Sequence, residues 1–464
     1  MQKLFEEVTT LDAQCYTKFG LTEDILMEHA ANGINHFIRS KFSLTSKVIV
    51  VCGGGNNGAD GIALSRLLHK DYEVSLLLLQ EPKSQMAKLQ ISRANAIGVQ
   101  TINSLKPCNV LVDAIFGTGF RGTFDPSIKK TLQKMNQSPA YKIACDIPSG
   151  LQKTGICTQD NFKADITLTM GALKKSMYSD QAKEFVGTIK VLDLGLSRNI
   201  YENNSPWKLL DLEDLKLPFR EKKDTHKGSF GHLAVISGEK SGASIISALS
   251  ALKFGAGLVT LVSVQDPHNI PYSLMYTNKL PVNTTAIASG MGLGDFFSEE
   301  ELLGFFDNSL PKIIDADLFH MPLITKILEK ENLLLTPHPK EFVSLLQKTK
   351  LANIDIAELQ NNRFKYAELF CKHFPNLTLL LKGANVIIGK AQEFYINPHG
   401  TSVLAKGGSG DVLSGLAGAL LAQGYDPLQA AIHASLAHTK LGLQYKGTDF
   451  SLTPDSLIEG IGNL

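Results

Sequence analysis

From Lys47 onward the chain alternates short β-branched or leucine-rich runs with segments whose apolar residues recur at helical spacing. KVIVVC precedes a helical pattern over 59–69, EVSLLLL one over 84–97, and NVLVDAIF one over 126–134, with YKIACDI next. Strands alternating with helices predict a parallel sheet covered on both faces, and the runs at 166–170 and 188–192 extend it. Ahead of the sheet, 22–40 reads as a helix capped by Thr22 with acids in its first turn.

Between 195 and 225 this pattern breaks. Pro206, the only tryptophan at 207, Pro218 and the charged REKKD run at 220–224 interrupt it, the charged run reads as a solvated linker, and a domain boundary is placed near 215–225. A second α/β domain opens with HLAVISG at 232–238 and a helix over 243–254, followed by strand candidates LVTLVSV, AIAS, KIIDA, NLLLTP and LTLLLKG. No fixed-period repeat relates the halves, so two unrelated domains are expected. At about 100–200 residues per domain, a length of 464 agrees with that division.

Composition then narrows the functional classes. Lys and Arg number 46 against 45 Asp and Glu, so no net field recruits nucleic acid or anionic lipid, and any phosphate must be held locally. The longest apolar runs, Val74–Leu79 and Leu377–Leu381, fall far short of the ~18 residues that span a bilayer. MQKLFEEVTTLDAQ carries early acids and no apolar signal region, so the expected location is cytoplasmic. Cys15, Cys52, Cys108, Cys145, Cys157 and Cys371 form no C-x-x-C pair and read as reduced structural thiols.

Two constellations carry chemistry. In the first, GGGNNGADG leads from a strand into a helix, where exposed backbone N–H groups and the dipole suit a phosphate. Gly53, Gly55 and Gly58 also satisfy the dinucleotide G-x-G-x-x-G spacing, with Glu81 beyond the next strand, so a dehydrogenase stays open. Asn56, Asn57 and Asp60 are not needed for such a turn and offer polar groups to a ligand or cation. Asp113 and Ser149 follow two further strands, at the ends where ligands sit in open α/β sheets. Asn57, Asp113 and Ser149 together would present hard oxygen ligands to an alkali or alkaline-earth cation.

NNGADG, DAIFGTGFRG and DIPSG, in this order on these strands, resemble the NAD(P)H-hydrate epimerase family over residues 1–215. The resemblance implies that Asn56, Asn57, Gly58, Ala59, Asp60, the loop Gly117, Thr118, Gly119, Phe120, Arg121, Gly122 and Thr123, and Asp146 bind a hydrated nicotinamide dinucleotide. It also implies a potassium ion at Asn57, Asp113 and Ser149. Ala59 stands where the family usually has glycine, which would narrow the loop slightly. Epimerising C6 of a hydrated dihydronicotinamide needs an acid/base, for which Asp146 is the candidate.

The second constellation is AKGGSGDVLSGLAGALLAQG, 405–424. Gly407, Gly408 and Gly410 permit close backbone approach, and Asp411 opens a small-residue helix whose amides form an anion hole. This suits phosphoryl transfer with Asp411 as base for an attacking hydroxyl. LLLTPHPKEF places His338 between prolines after a strand, LTLLLKGANVII places Lys382 at a strand end, and ASGMGLG supplies a glycine loop.

With HKGSFGHLAVISG and ALKFGAGLVT, these resemble the NAD(P)H-hydrate dehydratase family, of ribokinase-like fold, over residues 225–464. The expected architecture is thus a Rossmann-like doubly wound domain followed by a ribokinase-like α/β domain. The resemblance implies that Ala243, Gly292, His338 and Asp411 contact the hydrated dinucleotide, while Lys382, Gly383, Ala384, Asn385, Val386 and Gly410 contact the adenine nucleotide. Val386 replaces a common threonine and Met291 a common proline, departures that bear on nucleotide contact. Hydroxide leaves poorly, so phosphorylating the C6 hydroxyl with ADP or ATP and Mg²⁺ would allow elimination.

Both resemblances imply one bifunctional repair enzyme for damaged NADH and NADPH, with small-molecule partners only and a homo-oligomeric assembly. Three alternatives remain open. The C-terminal domain is a small-molecule kinase, since pyridoxal and hydroxymethylpyrimidine kinases share GGSGD-like loops; the N-terminal domain is a non-catalytic binding module; or the chain is a dehydrogenase.

Overall fold

The computed structural model describes residues 1–265 and 270–464. The chain divides into two compact units, Gln2–Trp207 and Lys208–Leu464, with Met1 counted in the second.

In the first unit the strands lie side by side in the order Gln100–Ile102, Glu73–Leu78, Lys47–Cys52, Val110–Ala114, Tyr141–Cys145, Ile166–Met170 and Thr188–Leu192. All neighbours are parallel. The period-two geometry of a strand sends alternate residues to opposite faces. Val48, Val50 and Cys52 accordingly join one buried layer, with Leu26, Ala30, Ile34 and Ile38 of the helix Glu23–Lys41. Ile49 and Val51 join another, with Ile128, Leu132 and Met135 of the helix Pro126–Gln137. Each such fully buried aliphatic side chain contributes about 1.5–3 kcal/mol, which is why this strand, apolar on both faces, sits centrally.

The chain winds outward in both directions from Lys47–Cys52 and Val110–Ala114, which pair in register from Val48–Val110 to Cys52–Ala114. Such a switch point leaves a crevice at the carboxyl ends of the strands, because the connections that follow diverge to opposite faces. One boundary differs from expectation. The helix after the first strand begins at Asn56 rather than near 59, so the turn consists of Gly53–Gly55 and the polar residues occupy the first helical turns.

In the second unit the strand order is Met275–Thr277, Leu258–Val262, His232–Ile236, Ala286–Ser289, Lys312–Ile314, Leu333–Leu335, Thr378–Leu381, Val386–Lys390 and Glu393–Asn397. Neighbours are parallel as far as Thr378–Leu381, and the last two strands run antiparallel. The helix Ser409–Ala422 is almost entirely buried, between Ser241–Lys253 and Pro427–Gln444. Its small residues permit this: a Cβ on Gly415 would lie 2.3 Å from the Ser247 carbonyl oxygen, and one on Gly418 would lie 2.8 Å from Leu233. All six cysteines are free, and among the described residues no helix is long and apolar enough to cross a membrane.

Candidate active sites

The crevice of the first unit is a cavity of about 690 Å³. Asn56, Asn57, Asp60, Gly117, Thr118, Gly119, Phe120 and Asp146 line it. Gly58 instead turns toward its own loop, where a Cβ would lie 2.0 Å from the Gly53 carbonyl oxygen. Ala59 packs with Met27 and Ala87, so its methyl fills a helix interface and does not narrow the loop. Arg121, Gly122 and Thr123 are exposed at the far end of their loop, which the rings of Phe116, Phe120 and Phe124 hold at 4.7–6.0 Å centroid spacings.

Asp113 is buried and accepts from Ser149 N at 2.8 Å, Ser149 Oγ at 2.6 Å and Ile115 N at 3.1 Å. Burial nevertheless pushes its carboxyl up to about 6. Phe116 N donates to Ser149 Oγ at 2.9 Å, and Gly117 packs on the Asn57 side chain, so the 116–117 loop gathers all three residues. Both polar atoms of the Asn57 side chain are buried without a hydrogen-bond partner. An orphaned amide beside a buried carboxylate and a hydroxyl is a donor set suited to a monovalent cation, whose binding would satisfy Asn57 and favour ionised Asp113.

Asp146 adopts a left-handed backbone at φ 69°, uncommon for a non-glycine residue. Its Oδ1 is held by Thr169 Oγ1 at 3.2 Å, by Met170 N at 3.0 Å and by Lys174 Nζ. The Lys174 side chain is wholly buried, and its ammonium also donates to Thr169 Oγ1 and the Met170 carbonyl at 2.9 Å. The same cavity holds a pair that no sequence motif marks: Asp12 accepts from Tyr201 Oη at 2.7 Å, and both line the cavity. Burial raises the carboxyls of Asp12 and, more strongly, Asp60, with Asp146 and Asp12 adding repulsion to the latter. Lys174 had a sequence signal, a lysine four residues past the buried strand Ile166–Met170; Asp12 and Tyr201, 189 residues apart, had none.

In the second unit Gly408, at φ 85°, caps the helix Ser409–Ala422 and leaves Asp411 in its first turn rather than at the cap. Asp411 is raised to about 7 by burial and by Asp315. Lys382 reaches Asp315 Oδ1 at 2.8 Å and Glu341 Oε2 at 3.9 Å, and a Cβ on Gly410 would lie 3.6 Å from its Nζ. Ser414 Oγ donates to the other Asp315 oxygen at 2.6 Å. Lys382, Gly410 and Asp411 thus converge at one helix N-terminus, a ready anion site.

His338 stands beside this group, because Lys382 N donates to the Pro337 carbonyl. Its Nδ1 accepts from the backbone of Lys340 and Glu341 at 3.1 and 3.2 Å, making it the N-cap of Pro339–Lys348, while its ring stays half-exposed. Gly292 accepts from Lys240 N at 2.9 Å and Lys240 O accepts from Ala243 N at 3.2 Å, which brings those two candidates together. Ala243 precedes Ser247 by one turn, and Ser247 Oγ donates to the Asp411 carbonyl at 2.7 Å. Gly383, Ala384 and Asn385 form the turn between Thr378–Leu381 and Val386–Lys390, with the Arg363 guanidinium against Gly383. The Val386 side chain belongs to the buried core. Asp315 and Glu341, absent from the sequence candidates, are central here; KIIDA had shown an acid at a strand end.

Family models match both halves of the chain. A family described as YjeF-related protein N-terminus matches residues 23–176, and one described as NAD(P)H-hydrate dehydratase matches 233–462. The chain is 41% identical to the bifunctional NAD(P)H-hydrate repair enzyme of Helicobacter pylori, with 100% of both chains covered. It is 31% identical to that of Coxiella burnetii over 90% of each. The solved ADP/ATP-dependent NAD(P)H-hydrate dehydratase of Bacillus subtilis is 24% identical and covers 53% of this chain and 92% of its own, at a TM-score of 0.45. The chain belongs to the family of bifunctional NAD(P)H-hydrate repair enzymes.

Proposed function

We propose that the N-terminal domain, expected over 1–215, epimerises hydrated NADH and NADPH at C6, and that the C-terminal domain, expected over 225–464, dehydrates the S form using ADP or ATP. The observation that carries this reading is the convergence of Asp411, Gly410 and Lys382 on one helix N-terminus. A carboxylate raised to about 7 is poised to take a hydroxyl proton near neutrality, while the helix amides and Lys382 hold the transferred phosphate. Phosphorylation of the C6 hydroxyl turns hydroxide into phosphate as leaving group; loss of phosphate and of a ring proton restores the conjugated dihydronicotinamide.

Mg²⁺ on the nucleotide would neutralise phosphate charge. Gly292, Ala243 and His338 position the dinucleotide, and Gly383, Ala384, Asn385 and Val386 flank the adenine nucleotide. In the epimerase crevice Asn57, Asp113 and Ser149 hold K⁺, which supplies a fixed positive charge. Asn56, Asp60 and the 117–123 loop bind the dinucleotide, and Asp146 serves as the acid/base for the oxygen carried on C6. The enzyme works in the cytoplasm, where its six free cysteines stay reduced, and assembles as a homo-oligomer.

Product analysis tests the reading against a kinase. Incubation with hydrated NADH, Mg²⁺ and nucleotide yields NADH and inorganic phosphate; a stable phosphorylated dinucleotide would show a kinase instead.

A further inference from the structure

Epimerisation at one carbon is a two-sided problem. A group that removes the C6 hydroxyl and returns it from the same side reproduces the starting configuration, so inversion needs proton transfer on the opposite face as well. The cavity provides two carboxylates on separate elements: Asp146 after the strand Tyr141–Cys145, and Asp12 on the helix Thr9–Lys18.

Both are tethered in the same manner. The described contacts of Asp146, from Thr169, Met170 and Lys174, all fall on Oδ1, and that of Asp12, from Tyr201, falls on its own Oδ1. Each therefore has a second oxygen without a described hydrogen-bond partner in a wall of the cavity. The partners differ in character. Asp146 faces the buried ammonium of Lys174. Asp12 faces a neutral phenol, Tyr201, itself 3% exposed. Burial pushes the Asp12 carboxyl above the ordinary range, opposed by the Tyr201 hydrogen bond and by Lys174, with the negative charge of Asp146 adding to the upward shift.

We propose that Asp12, oriented by Tyr201, is a second catalytic residue of the epimerase site and serves the C6 face opposite Asp146. This rests on the epimerase reading of the domain. Protonated Asp12 gives its proton to the C6 hydroxyl; the C6–O bond breaks with its electron pair leaving as water, and the N1 lone pair forms the N1=C6 iminium. Water on the other face bonds to C6 and gives one proton to Asp146, and the electron pair returns to N1. One proton enters and one leaves, and the roles exchange in the reverse direction.

The test follows both inversion and oxygen exchange on each separated epimer in H₂¹⁸O, using the full chain without added nucleotide. Wild type inverts C6 and incorporates ¹⁸O, whereas no inversion by wild type would sink the epimerase reading itself. Asp12→Asn is expected to invert at least 100-fold more slowly while retaining detectable ¹⁸O incorporation without inversion, because Asp146 still serves one face. Tyr201→Phe, which keeps the ring packing, is expected to slow inversion about tenfold. Inversion by Asp12→Asn at the wild-type rate overturns the inference. So does an equal loss of inversion and exchange in both variants with hydrated-dinucleotide binding retained. If Asp12→Asn does not fold, unchanged inversion in Tyr201→Phe overturns it alone.

Discussion

Lys382 Nζ lies 2.8 Å from Asp315 Oδ1, and this pair joins the end of one strand to the loop after another beneath the first turn of Ser409–Ala422. The ammonium is also the cation felt by Glu341 and Asp411, so one side chain balances three carboxyl groups.

Lys382→Met should therefore damage both stability and catalysis. Breaking a buried pair from one side costs about 3–5 kcal/mol, because the remaining charge is left uncompensated. Denaturant titration should show a loss of that order, and the KM for the nucleotide should rise more than tenfold. An unchanged nucleotide KM would remove Lys382 from the binding site.

The pH profile of dehydration follows from Asp411. The base form acts, and burial with the Asp315 charge raises its carboxyl to about 7. Below that pH, kcat/KM for hydrated NADH should fall about tenfold per unit as Asp411 takes up a proton. For stability the sign is separate. The folded-state values of Asp411 and Glu341, both about 7, exceed their unfolded ones, so their contribution is full below the unfolded values and is lost as pH rises through 7. A flat kcat/KM between pH 5 and 8, taken as a roughly three-unit window, would contradict the role of Asp411.

Potassium should stabilise the N-terminal domain more than sodium. A ligand at 100 times its Kd adds about 2.7 kcal/mol, a shift of several degrees in Tm. Asp113→Asn removes the charge while keeping the shape, and its Tm should no longer distinguish the two salts. Equal wild-type melting in KCl and NaCl would speak against the site.

Gly408 tests the helix N-terminus by backbone alone. At φ 85° a side chain is strained, and a Cβ would lie 2.4 Å from Pro454 Cγ. Gly408→Ala should cost about 1–2 kcal/mol from the left-handed backbone, with the contact adding to it, and should slow dehydration by displacing the amides. Epimerisation should continue at the wild-type rate, measured on the same preparation.

Much of this was legible in the sequence because alternating apolar runs fix a parallel sheet and its active edge. Val48–Cys52 appears as a continuous apolar run and Val110–Ala114 as one broken by Asp113, and the segments after them carry Asn57 and residues 117–123. Where the glycine loop ends was not legible, since Asn56 and Asn57 are poor helix formers that tertiary packing of Ile62 and Leu64 overrides. Partners distant in sequence were hidden for another reason. Asp12 with Tyr201, Asp315 with Lys382 and Asp146 with Lys174 meet only through the topology, and a residue's local pattern does not name the partner that a distant segment brings to it.

The most direct test measures recovery of dihydronicotinamide absorbance from a mixture of R and S hydrated NADH, with Mg²⁺ and either ADP or ATP. Wild type should restore the whole mixture with one of the nucleotides, Asp411→Ala none of it, and Asp146→Ala only the S fraction rapidly. Absence of recovery with both nucleotides, or equal recovery by Asp411→Ala, would contradict the account.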